Sequence, residues 1–178
     1  MSSFNSKLSP EERTEQRRQM FLAQGWPTSA EVAQRLHVHE ETPGQWARAR
    51  RVANQLLGAW SPTLNAYVHP DFQFLADRLN PKLSELLAAL CEIPGFDSQE
   101  DNGGWRRVFW LYQPRGALSK QSLGIADAME NGVNFMDAIL ENASLSEDPR
   151  APADLFPENP GAVIELALGD ARADTEPL

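Results

Sequence analysis

Residues 28–51, TSAEVAQRLHVHEETPGQWARARR, decide the fold. They open on Thr28-Ser-Ala-Glu31, a spacing in which the threonine hydroxyl and the glutamate carboxylate each satisfy a free backbone N–H at a helix start. The spacing predicts a short helix over about 28–36, with Val32, Ala33 and Leu36 on one side. Thr42-Pro43-Gly44-Gln45 repeats the logic, with Thr42 as cap, Pro43 at the first helical position and Gln45 reaching back. A helix over about 43–57 follows. On it Trp46, Ala49, Ala53 and Leu57 share an apolar side, and Arg48, Arg51 and Gln55 project from the opposite one. The small Ala33 lets the two helices approach closely, Leu36 and Val38 anchor the turn, and Trp46 packs the second helix on the first.

Upstream, residues 10–24 (PEERTEQRRQMFLAQ) read as a helix capped by Ser9, with Pro10 at the first position and Glu11 and Glu12 near the positive end of the dipole. Gly25-Trp26-Pro27 ends it. Downstream, Leu56 to Trp60 and Ala66 to His69 are β-compatible runs around Ser61-Pro-Thr-Leu-Asn65, a hairpin pattern, and Pro70-Asp-Phe-Gln-Phe74 begins another helix. Taken together, residues 28–74 resemble a helix-turn-helix of the winged variety found in excisionase-like and MerR-like modules. The resemblance implies that the second helix enters a DNA major groove. It makes Arg48 and Arg51 the candidates for guanine or phosphate contacts, Gln45 for adenine, and Gln55, Thr42 and His39 for phosphates. His37 stands at the turn where the family favours glycine, and the wing, Ser61 to Asn65, carries no basic residue.

The rest of the chain reads as helical. Residues 81–92 place Leu83, Leu86, Leu87 and Leu90 at helical spacing. Residues 93–104 (IPGFDSQEDNGG) are a polar, Gly-containing loop, the best candidate for a domain boundary or a mobile connection. In 105–112 (WRRVFWLY), Trp105, Val108, Phe109 and Tyr112 fall on one side and pack, whereas Trp110 lies off that stripe. Two or three further helices and a frayed acidic tail from Ala171 to Leu178 complete the reading. Trp105 to Pro114, Leu118, Ser122 and Pro149 to Ala167 resemble the toxin-binding region of Xre/MbcA/ParS-type antitoxins, interrupted here by Leu123 to Glu147. The resemblance implies a homodimer that represses its own operon and holds a protein toxin with its C-terminal half. The partner-binding candidates are Trp110, Tyr112 and Arg115.

Charge fits two working ends. Residues 1–60 carry 8 Lys and Arg against 6 Asp and Glu, a balance of +2, and residues 61–178 carry 8 against 19, a balance of −11, giving −9 for the chain. The acidic half would complement a basic protein partner. No run approaches the roughly 18 apolar residues of a membrane span, and a lone Cys91 requires no oxidising compartment, so no membrane partner and a cytoplasmic location are expected. His37, His39 and His69 have no acidic or Cys ligand at a recognised metal spacing. No phosphate loop, dinucleotide fingerprint or hydrolase motif is present; the expectation is a chain without cofactor or catalytic set. The resulting reading is a mainly α-helical protein: an N-terminal arm (1–25), a winged helix-turn-helix-like module with a short β-hairpin (26–75), a helical partner-binding module (80–170) and a tail (171–178). The competing reading is an immunity or adaptor protein whose helix-turn-helix, with Pro43-Gly44 and an uncharged wing, no longer binds DNA.

Overall fold

The computed structural model describes residues 8–39, 42–97 and 101–175, and within them the chain is mainly helical with two small antiparallel hairpins. Local chemistry sets the first elements. Helix α1 (Pro10–Leu22) starts in a reciprocal box: Glu12 N donates to Ser9 Oγ at 3.2 Å, and Ser9 N donates to Glu12 Oε2 at 2.7 Å. Helix α2 (Ser29–Arg35) starts the same way, with Thr28 N and Oγ1 donating to Glu31 Oε2 at 2.7 and 2.8 Å. Those donors hold the Glu31 carboxyl below its ordinary range.

Helix α3 (Pro43–Val52) differs from its sequence reading at both ends. Thr42 sits at the cap position, yet neither its hydroxyl nor Gln45 closes a capping bond. The helix stops five residues early because Asn54 turns left-handed, at φ +51°. Gln55 N then reaches back to Arg50 O (2.8 Å) and Asn54 N to Arg51 O (3.1 Å), the paired bonds that satisfy the last carbonyls of a helix. The buried side also differs in phase: Trp46 and Ala47 are buried, and Ala49 and Ala53 face water.

Strands β1 (Ala59–Ser61) and β2 (Ala66–Val68) form the expected hairpin, with Trp60 opposite Tyr67. Pro70 to Phe74 makes one 3-10 turn, Asp71–Gln73, rather than a helix, and Phe74 is already extended. Gln73 explains the change, because its fully buried amide accepts from Leu57 N (2.9 Å) and donates to Leu57 O and Pro70 O (both 3.0 Å). Strands β3 (Phe74–Leu75) and β4 (Arg78–Leu79) follow as a second hairpin.

Helix α4 (Leu83–Cys91) buries the four leucines read from the sequence. Helix α5 (Trp105–Leu111), α8 (Pro152–Leu155) and α9 (Pro160–Thr175) close around it. This core is continuous across the expected boundary at 93–104: Trp26, Leu57, Ala59, Val68 and Phe72 belong to the same buried cluster as α4, α5, α8 and α9. Ile93 and Asp101, inside that polar stretch, are themselves buried. Ala171 is a core residue of α9, so the acidic tail is ordered helix through Thr175; residues 176–178 lie outside the described residues.

The segment that interrupts the antitoxin-like pattern is an arm. Helices α6 (Lys120–Glu130) and α7 (Phe135–Asn142) pack on each other and bury only Ala138 of their side chains. Their base is pinned where Arg115 N donates to Arg150 O (2.9 Å) and Arg150 N to Arg115 O (3.3 Å). Gly124 permits the approach, since a Cβ there would lie 2.1 Å from Asn142 Oδ1.

Candidate nucleic-acid interface

The α2–α3 pair has its own small core of Val32, Ala33, Trp46, Ala47, Leu56 and Phe74. Its turn is tight because His37 adopts φ +54°. Val38 N donates to Ala33 O (2.9 Å) and His37 N to Gln34 O (3.1 Å), the same helix-ending pair of bonds as at Asn54. A residue other than glycine held there costs about 1 kcal/mol, and His37 thus occupies the backbone state for which glycine is favoured at this position.

The hairpin is locked to this pair by His69, which is fully buried. Leu57 O can only accept, so His69 Nδ1 donates to it (2.8 Å), which leaves Nε2 to accept from the Ser29 hydroxyl (3.1 Å). The ring is therefore a structural bolt. Burial, with Arg51 nearby, depresses its pKa to about 4 against the donor bond to Leu57, which raises it. An unfolded histidine titrates near 6.5, so its stabilising contribution is complete above that pH and is lost as pH falls toward 4. Between pH 7 and pH 5 the chain should lose about 2 kcal/mol through this one group. Urea titrations at the two pH values test this. A His69→Gln variant should show a smaller drop than the parent; an equal drop in both would assign the acid sensitivity to other groups.

Four of the six residues expected to face DNA are exposed: His39, Thr42, and Gln45 and Arg48 on the front of α3. Ala49 and Val52 extend that front, Val52 being 69 % exposed. The other two are engaged by neighbours. Arg51 is half-buried, with its guanidinium carbon 3.8 Å above the Tyr67 ring centroid, and desolvation lowers its pKa. Gln55 accepts from Arg50 Nη1 at 2.5 Å.

The expected partner-binding residues are engaged within the chain. Trp110 is buried, and its Nε1 donates to Asp170 Oδ2 at 2.7 Å. Arg115 Nη2 donates to the same oxygen at 3.1 Å, with the guanidinium over the Trp110 ring. Tyr112 packs against Phe21, Trp26 and Phe72, and burial raises its pKa. Exposed apolar surface lies on the arm, at Phe135, Met136 and Leu140. Between the arm and α9 a cleft of about 460 Å³ carries Asp127, Glu130 and Glu165. Sequence reasoning missed both, although the interruption from Leu123 to Glu147 was the signal.

Among the described residues no helix is long and apolar enough to cross a membrane, and no three His, Cys, Asp or Glu side chains gather as metal ligands. Compared with family models, curated proteins and solved structures, the chain matches none.

Proposed function

We propose that this protein is a DNA-binding transcriptional regulator that presents α3 to the major groove of operator DNA as a homodimer. The observation that carries the reading is the α2–α3 pair itself: two helices joined by a turn with His37 in the glycine conformation, bolted to a hairpin, with an unburied polar front on the second helix. Gln45 and Arg48 have the chemistry to read adenine and guanine edges, and Ala49 and Val52 suit thymine methyl groups. Thr42 and His39 stand at the helix start for phosphates. The acidic cleft and exposed arm favour a basic protein partner at the other end. In the antitoxin reading that partner is a toxin.

Fluorescence anisotropy on the chain's own promoter fragment tests the DNA claim. Binding should weaken as salt rises, and Arg48→Ala should lower affinity about tenfold or more. No salt-dependent binding, or binding that ignores Arg48→Ala, would refute it. The interaction-protein reading would then stand on the arm alone, with Phe135→Ser plus Leu140→Ser expected to abolish co-purification with the product of the adjacent gene.

A further inference from the structure

Against α3 is a cavity of about 310 Å³ that neither resemblance calls for. Three arginines from distant parts of the chain line it: Arg48 and Arg51 from α3, and Arg107 from α5. Arg107 is more than nine-tenths buried, and its Nε donates to Asp101. The other oxygen of Asp101, Oδ1, accepts from Arg106 N (2.7 Å) and Arg107 N (3.1 Å). Arg107 Nη1 has no hydrogen-bond partner among the described residues, an uncommon state for a buried charged group. Neither Arg48 nor Arg51 forms a salt bridge with a described residue. Among the described residues, the lining carries three guanidinium groups and no carboxylate, with Asp101 behind Arg107, so positive charge is in excess at this space.

The walls are built for closeness. Gly104, at φ +91°, lets the start of α5 meet the hairpin: a Cβ there would lie 1.9 Å from Gly58 O. A Cβ on Gly58 would lie 2.8 Å from Arg51 Cδ and 3.1 Å from the Tyr67 ring. The ring of Tyr67 in turn holds Arg51 in place from one face.

The geometry points to a binding site for a small molecule bearing a phosphate monoester. A monoester carries about −1.5 to −2 at neutral pH and three acceptor oxygens, which matches the excess charge and the guanidinium forks. The volume is at the lower end for ligand pockets and leaves room beyond the phosphate for a sugar-sized group. A duplex phosphate is a singly charged diester on a wide rod and cannot follow the cavity to a side chain as buried as Arg107. Because Arg48 also stands on the α3 front, occupancy should weaken DNA binding; that consequence alone rests on the function proposed above.

Calorimetric titration of the full chain, without DNA and at fixed ionic strength, tests the site with ribose 5-phosphate, inorganic phosphate, dimethyl phosphate and ribose. Ribose 5-phosphate should bind saturably at one site per chain, inorganic phosphate more weakly, and the other two not at all. Arg51→Met should weaken it about tenfold, and Arg107→Lys at least as much. If Arg107→Lys fails to fold, Arg51→Met and Arg48→Met carry the test, with folding checked by circular dichroism. Three results would overturn the site: no saturable binding up to about 10 mM, equal affinity in Arg51→Met, or equal binding of the diester, which would make the pocket a reader of nucleic-acid backbone.

Discussion

Trp26→Ala is expected to destabilise the whole chain by about 3–5 kcal/mol, the usual range for emptying a buried tryptophan site. Trp26 is 4 % exposed and stands where α1, α5 and the start of α2 meet. Its ring lies 5.8 Å from Phe21, 6.5 Å from Trp105 and 5.5 Å from Tyr112. Loss of the ring removes apolar burial and aromatic pairing together, and Phe21 and Tyr112 can refill little of the space because each is held by further ring contacts. Since these contacts join the start of α2 to the helical half, the two should melt in one transition, shifted down on the order of 10 °C. Scanning calorimetry of parent and variant reads both quantities. Two separated transitions in the parent, or a loss under about 1 kcal/mol, would mean that the halves are independent.

Gln73→Leu should be nearly as damaging, at about 2–5 kcal/mol, without leaving a cavity. The side-chain volume is almost kept, so packing is not the cause. Leu57 N and Pro70 O lose their amide partner in a place water does not reach, and each stranded group costs about 1–3 kcal/mol. Leu57 O is less affected, because His69 Nδ1 still donates to it. Urea unfolding gives the energy, and faster hydrogen exchange at Leu57 would locate it. Destabilisation with unchanged Leu57 exchange would place the effect elsewhere.

Much of the architecture was legible where a few residues settle a local state. Ser9 with Glu12 and Thr28 with Glu31 mark helix starts by chemistry that acts within four residues, and the leucines of α4 fix a strong phase. On α3 the expected stripe leaned on Ala49 and Ala53, residues nearly indifferent to water, and Trp46 alone could not set the phase; Ala47 is buried in their stead. The end of α3 and the turn between β3 and β4 were hidden because Asn54 and Ala76 take positive φ where glycine would have announced it. Ala76 is steadied there by Arg35, whose Nε donates to its carbonyl at 2.7 Å.

The site was legible in part for the same reason. Exposure of Gln45 and Arg48 follows from helix geometry, but the fate of Arg51 depends on Tyr67, sixteen residues later and across a hairpin. Trp110 misled because a face argument assumes that one side of the helix is wet, and α5 is enclosed on most sides. Nothing local announces that Arg107 faces the same cavity as α3. That juxtaposition exists only once Gly104 has met Gly58.

The shared core also sets an order of events during synthesis. When residue 75 leaves the ribosome, the α2–α3 pair has its own small core, but Trp26 and Phe72 still lack Tyr112 and Phe156, the rings that cover them. Helix α4 waits longer, because the apolar face of α9, with Val163, Ile164, Ala167 and Ala171, comes after it. A nascent chain therefore shows sticky aromatic surface until most of its length has emerged, and a protease that trims α9 would loosen the α2–α3 pair from a distance.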